Sequence, residues 1–167
     1  GLRGGLLFHF AALWLLKMKN KVNIYIDLEQ TIISNWDDGF LINTEKVRDF
    51  LKSHNAEGFH VFSFAVWNDA DRFVFNTRFK SVLENALESK VLTCNTCEDF
   101  MRDDTEFTSL RFDSLTDYIS IRGKVGAFMN WTAHRHAGDV NILVDDVVPN
   151  AVWENQDTRS RCVFINV

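Results

Sequence analysis

Two pairs of acids stand where apolar runs end. The run "VNIYIDLEQTII" at 22–33 sets Asp27 and Glu29 one residue apart, and "NILVDD" at 141–146 ends in Asp145 and Asp146. A buried strand tolerates charge only where it emerges from its sheet. Carboxylates gathered in one crevice repel one another unless a cation holds them, and oxygen donors that keep water suit Mg²⁺ better than zinc or copper. Ser63 closes a third apolar run, "HVFS", and Lys124 opens a helical segment that leads toward the second acid pair. Metal, carboxylate, hydroxyl and ammonium together are the parts of a phosphoryl-transfer site. Plainer roles also exist: Asp145 and Asp146 suit the capping of a helix near Pro149, and Lys124 suits a solvated helix position.

Other candidates carry less. "CNTC" at 94–97 has the spacing of half a zinc knuckle, but no second CxxC or CxxH pair completes four ligands, so Cys94 and Cys97 read as ordinary thiols near a strand end. His134 and His136 stand two apart in "HRH", poor geometry for a shared metal, and read as solvated. Trp36, Phe40, Phe64 and Trp67 could stack on a nucleobase, although packing is the commoner use of such residues.

These residues need a scaffold that brings distant segments together. Short apolar runs alternate with amphipathic segments from Val22 onward, which predicts an α/β fold with a parallel sheet. Strands are expected at 22–27, 59–63, 90–94, 140–144 and 161–167. Helices are expected at 43–54, 68–90 and 123–134. Asn43 or Thr44 can cap the first helix and Asn68 or Asp69 the second, whose inner face would be Phe75, Phe79, Val82, Ala86 and Leu87. The stretch 95–120 reads mainly as loop. A sheet of about five strands in the order 5-4-1-2-3 makes the first strand central, with a topological switch point beside it. Open parallel sheets bind ligands there, at the carboxyl ends of the strands, and both acid pairs lie at that end.

Taken in order, "IYIDLEQTII", "HVFSFAVW", "GKVGAF" and "NILVDDVVPN" resemble the four motifs of the haloacid dehalogenase superfamily, mostly Mg²⁺-dependent phosphatases, across residues 22–150. The resemblance implies a three-layer, Rossmann-like domain over 18–167. It makes Asp27 the nucleophile that becomes an aspartyl-phosphate and Glu29 the acid/base, with the Glu29 backbone carbonyl on the metal. Ser63 would hydrogen-bond a phosphoryl oxygen, Lys124 would neutralise phosphate and nucleophile, Asp145 and Asp146 would hold Mg²⁺, and Thr31 would shape the turn. Members usually carry Asp where this chain has Glu29. The extra methylene moves the carboxylate by about an ångström, a displacement able to cost on the order of 10²-fold in rate. The expectation is a phosphatase of reduced activity; the alternative is a non-catalytic binding protein that keeps the fold. No large cap domain fits the spacing, and "IISNWDDGFLI" suits a short hairpin flap. An open site of this kind implies a phosphorylated small molecule, a nucleotide or a nucleic-acid end as substrate, or a homo-oligomer whose neighbouring subunit closes the mouth.

Composition sets the outer bounds. The chain has 167 residues and a net charge of −5, enough for one core and without the basic excess of a nucleic-acid-coating surface. Three cysteines, an odd number, favour reduced thiols and a cytoplasmic setting. Residues 1–17 hold an apolar run, Leu6 to Leu16, too short to span a bilayer and followed by "KMKNK" in place of a cleavage site. They read as a leader or expression-derived extension, helical if folded, and no membrane partner is expected.

Overall fold

Side chains of a strand alternate between its faces, so a strand buried on both sides must be apolar throughout. Strand β1, Val22–Ile26, meets that condition in the computed structural model, which describes residues 21–106 and 114–167, except at Asn23, whose buried side chain donates to Asn141 and Asp139. Ile24 and Ile26 point into one core and Tyr25 into the other. The same division holds for Ile142 and Val144 against Leu143 in β4, Val140–Asp145, and for Val163 and Ile165 against Phe164 in β6, Arg161–Asn166. Strands β2, Gly58–Val61, and β3, Lys90–Cys94, complete the parallel part.

Helices cover both faces. On the first lie α1, Thr44–Ser53, and a long helix made of α2, Asp69–Val74, a π-helical turn, Phe75–Phe79, and α3, Lys80–Leu87. On the second lie α4, Cys97–Asp103, and α5, Leu115–Arg135. Tyr25, Phe62, Phe100, Phe128 and Phe164 interlock beneath α4 and α5, with Phe128 edge-on to Tyr25, Phe62 and Phe164 at ring separations of 5.1, 5.3 and 5.5 Å.

The sheet has six strands in the order β3-β2-β1-β4-β6-β5, which corrects the expected five-strand, wholly parallel order 5-4-1-2-3. The last strand of the chain does lie beside β4, but it is the sixth. The added strand, β5, Ala151–Glu154, runs antiparallel to β6 at the sheet edge. It is only four residues long and mostly exposed, and its apolar residues Ala151, Val152 and Trp153 make too short a run to mark a strand. The fold is therefore α/β with a mixed, mostly parallel sheet.

Two helical expectations also shift. The stretch 95–120 contains α4, started by a capping box in which Thr96 accepts from the Asp99 N–H and Asp99 accepts from the Thr96 N–H. It also contains the first limb of α5, capped by Ser114. The expected helix at 123–134 is the second limb, because Gly123 breaks α5 at φ 69°, ψ 175°, a conformation essentially confined to glycine. In the long helix the buried face is Phe75, Phe79, Leu83 and Leu87, and Val82 is exposed. A π turn holds more residues per turn than an α turn, so side chains spaced by four stay aligned through it. Asn68 caps α2 as expected, its side chain accepting from the Asp71 N–H at 3.0 Å.

The connections after β1 and β2 are residues 27–43 and 62–68, too short for a folded cap. Among the described residues no helix is long and apolar enough to cross a membrane. The extension expected at 1–17 lies outside the described residues.

Phe128→Ala should cost about 3–5 kcal/mol in urea unfolding, since it removes a fully buried ring that three others contact. A pH effect should come from His60, stacked on Tyr25 at 4.6 Å. Burial, with help from His136 and Lys21, lowers its pKa from 6.5 to about 4. The folded protein thus binds fewer protons than the unfolded chain in this window, so the contribution is complete above pH 6.5 and is lost as pH falls toward 4. Unfolding free energy measured across that range should decline, and His60→Gln should flatten the decline by roughly 1–2 kcal/mol once partial exposure is allowed for.

Candidate metal and catalytic centre

Register brings the acids together. Strands β1 and β4 pair in parallel from Val22 with Val140 to Ile26 with Val144, and the Asp27 N–H donates to the Val144 carbonyl at 3.0 Å. Asp27 and Asp145 are therefore neighbours at the end of adjacent strands. Alternation places both on the face that α5 covers, the face of Tyr25 and Leu143. One oxygen each from Asp27, Asp145 and Asp146 lies within 4.8 Å of the others. At such a separation two carboxylates repel by roughly 3 kcal/mol even at an effective dielectric near 20.

Lys124 offsets that repulsion. Its Nζ lies 3.0 Å from Asp27 Oδ1 and 3.0 Å from Asp145 Oδ2, deep in the structure. The contact with Asp27 is a hydrogen bond, whereas that with Asp145 Oδ2 is an ion pair too poorly aligned for one. Burial alone would push the Lys124 ammonium down; Asp27 and then Asp145 more than reverse this and hold its pKa above the ordinary value. Asp145 is fully buried, and desolvation, only partly countered by Lys124 and reinforced by Asp27, pushes its pKa up to about 6. The Gly123 break lets the second limb of α5 begin at Lys124, one residue beyond it. Phe64, from the loop after β2, lies over the same ammonium at 4.7 Å.

The turn after β1 supplies a further contact. The N–H groups of Thr31, Ile32 and Ile33 all donate to the Leu28 carbonyl, at 3.1, 3.0 and 3.0 Å. This winds the chain so that the buried Thr31 hydroxyl sits 3.1 Å from Asp27 Oδ2 and 3.4 Å from Asp146 Oδ1. Asn43, at the start of α1, donates its side-chain N–H to the Thr31 carbonyl at 2.9 Å and fixes the turn. Asn166 does the same for the loop after β4, donating to the carbonyls of Asp146 and Val148 at 2.9 and 2.8 Å.

Of the six residues singled out in the sequence, four meet: Asp27, Lys124, Asp145 and Asp146. Ser63 is buried beyond the end of β2, its Oγ accepting from the Ala65 N–H at 3.1 Å. Glu29 stands apart from the carboxylate cluster; its Oε2 accepts from the Trp36 N–H at 2.7 Å. That bond fastens the flap, a hairpin joined by the Ile33–Leu41 bridge. Trp36 packs on Phe79 with ring centres 5.1 Å apart, and Arg78 donates to the Trp36 carbonyl at 2.7 Å and to the Asp37 carbonyl. Gly39 is required there: it has φ 66°, and a Cβ would meet Phe79 at 2.7 Å. Of the four aromatics, Trp36 is therefore packing, Phe64 is half-buried, and Phe40 and Trp67 are exposed.

The sequence reading missed the Thr31 hydroxyl bridge, the Asn43 and Asn166 anchors and the Phe64 contact. Thr31 had a signal in its place four residues after Asp27; the asparagines had none, because their partners are backbone carbonyls. The alternative of a helix capped by Asp145 and Asp146 does not arise: Asp145 Oδ1 accepts from the Val147 N–H at 2.8 Å and no helix follows. Cys94 ends β3 and Cys97 opens α4, both buried with thiols pushed by desolvation to about 12, and among the described residues neither belongs to a cluster of three metal-ligating side chains. His134 is exposed as expected, but His136 is half-buried and shares a 3.0 Å hydrogen bond with the Tyr25 hydroxyl.

The donor set fits a hard divalent cation. Three carboxylates and one ammonium leave a formal charge of −2, all donors are oxygen, and Asp145 Oδ2 has no aligned hydrogen bond. Millimolar Mg²⁺ or Mn²⁺ should raise the melting temperature by about 5 °C, and Asp145→Asn should abolish that shift while raising the metal-free melting temperature. Lys124→Met should destabilise the metal-free protein by about 3 kcal/mol, partly recovered with the cation. No family model, no curated protein and no solved structure matches this chain.

Proposed function

We propose that this protein is a Mg²⁺-dependent phosphomonoester hydrolase with a Rossmann-like fold of the haloacid dehalogenase type, working through an aspartyl-phosphate on Asp27. The observation that carries the reading is the Asp27–Asp145–Asp146 cluster with the Lys124 ammonium set between two of its members, at the carboxyl end of a mostly parallel sheet. Asp27, Asp145 and Asp146 would hold the ion. When bound, Mg²⁺ supplies the positive charge that lets an anionic ester approach a carboxylate.

Lys124 hydrogen-bonds Asp27 and offers a second positive charge to the phosphate. An Asp27 oxygen attacks phosphorus, the bond from phosphorus to the ester oxygen breaks, and that oxygen takes a proton from protonated Glu29. Water then gives a proton to the Glu29 carboxylate and attacks the phosphorus of the acyl phosphate. The bond from phosphorus to Asp27 breaks and inorganic phosphate leaves. With Oε2 held by the Trp36 N–H, Oε1 is the oxygen left to carry the proton. The three unpaired buried thiols support a cytoplasmic setting.

The same Glu29–Trp36 bond favours one second reading, a phosphate-binding protein without turnover, because it engages the expected acid/base in holding the flap. Hydrolysis of 4-nitrophenyl phosphate with Mg²⁺ separates the two. For the enzyme, Asp27→Asn should lose at least about 10³-fold and Glu29→Gln about 10²–10⁴-fold. Equal rates in native chain and Asp27→Asn would remove the hydrolase reading. Thermal stabilisation by beryllium fluoride that needs Asp27, with no hydrolysis, would select the binding one.

A further inference from the structure

Three loops leave the carboxyl ends of β1, β2 and β4 and rim the aspartates: residues 27–43, 62–68 and 146–150. Each presents a large apolar side chain to solvent. Phe40 is 70% exposed, Trp67 41% and Val147 68%. Val147 is tied to the centre itself, since its N–H donates to Asp145 Oδ1. Apart from Asp27, the charged residues on these loops are Glu29, Asp37, Asp38 and Asp146; there is no lysine or arginine among them. Asp37 and Asp38 are exposed on the flap. Two nearby cations are engaged, Arg78 on flap carbonyls and Lys124 between Asp27 and Asp145.

Nucleic acids are held mainly by lysine and arginine on their phosphates, and a rim of acids repels every phosphate beyond the one neutralised at the centre. The same rim attracts cations, and its apolar side chains gain by covering apolar groups. We propose that, granted the hydrolase reading, the substrate is a phosphorylated side chain within a polypeptide segment whose neighbours are basic and apolar. The centre takes the phosphate, Asp37 and Asp38 meet the basic neighbours, and Phe40, Trp67 and Val147 take the apolar ones.

The test is binding, read by fluorescence anisotropy on the Asp27→Asn variant of the 167-residue chain with Mg²⁺, so that it does not depend on turnover. The probes are a labelled phosphoserine peptide flanked by Leu and Arg, the same peptide with Glu for Arg, and a terminally phosphorylated oligothymidylate. The basic peptide should bind at least about tenfold tighter than the acidic one, and added salt should erode the difference. Asp37→Asn with Asp38→Asn should narrow the gap by about three- to fivefold, and Phe40→Ser should weaken the basic peptide about fivefold. In the otherwise native chain, the Asp37→Asn, Asp38→Asn pair should leave 4-nitrophenyl phosphate hydrolysis unchanged. Equal binding of the two peptides, no binding of the basic one, or tighter binding of the oligonucleotide would each overturn the proposal. Selective binding of the basic peptide without aryl phosphate hydrolysis by the native chain would sustain the docking surface and remove the hydrolase reading instead.

Discussion

Burying Asp27 and Asp145 at the ends of adjacent strands is tolerable because one ammonium reaches both. Lys124 lies 3.0 Å from an oxygen of each, and without it two desolvated carboxylates would face each other with no counter-charge. Much of the surrounding architecture serves that contact. The parallel register of β1 and β4 sets the acids side by side, the strand alternation turns both toward α5, and the Gly123 break lets a helix limb begin with the lysine that meets them. The pair still leaves Asp146 and a formal excess of negative charge, so the centre is stabilised against collapse yet kept short of neutrality. A site left in that state is disposed to take up a cation.

The two sides of the centre differ in kind. On the β4 side Asp145 is fixed by the Val147 N–H, and the following loop is pinned by the side chain of Asn166. On the β1 side Thr31 bridges Asp27 and Asp146, while Glu29 reaches away to the flap. Glu29 thus links the position where proton transfer is proposed to the segment that shapes the mouth, and the longer side chain is what gives it that reach.

The sheet and the centre were legible in the sequence to the extent that they rest on local chemistry. Apolar runs ending in acids located β1 and β4, and the glycine-lysine pair located the limb of α5 that carries Lys124. What escaped was set by tertiary context. Strand β5 is a short, exposed edge strand, and three apolar residues, Ala151 to Trp153, are too few to distinguish a strand from a loop. Helix α4 begins with a recognisable Thr96–Asp99 box, but its seven residues bury only Cys97 and Phe100, too few for a periodic signal. The expected inner position of Val82 failed because periodicity assumes a uniform helix, and the π turn upstream passes the buried line to Leu83. Glu29 follows the end of β1, but its partner is a main-chain N–H seven residues on, outside the carboxylate cluster, which no residue type announces.

The π turn has a consequence for the mouth. Arg78, which clasps the flap carbonyls, and Phe79, which packs on Trp36 and against Gly39, both belong to its five residues. A π turn is an α-helix with one residue inserted, so losing that residue returns the turn to α geometry while Leu83 and Leu87 keep their place in the core. A single-codon deletion here would therefore leave the sheet and its acids untouched and yet unmoor the flap. Lineages of this protein that trimmed the helix would be expected to differ first in what they admit to the centre, before any change in the centre itself.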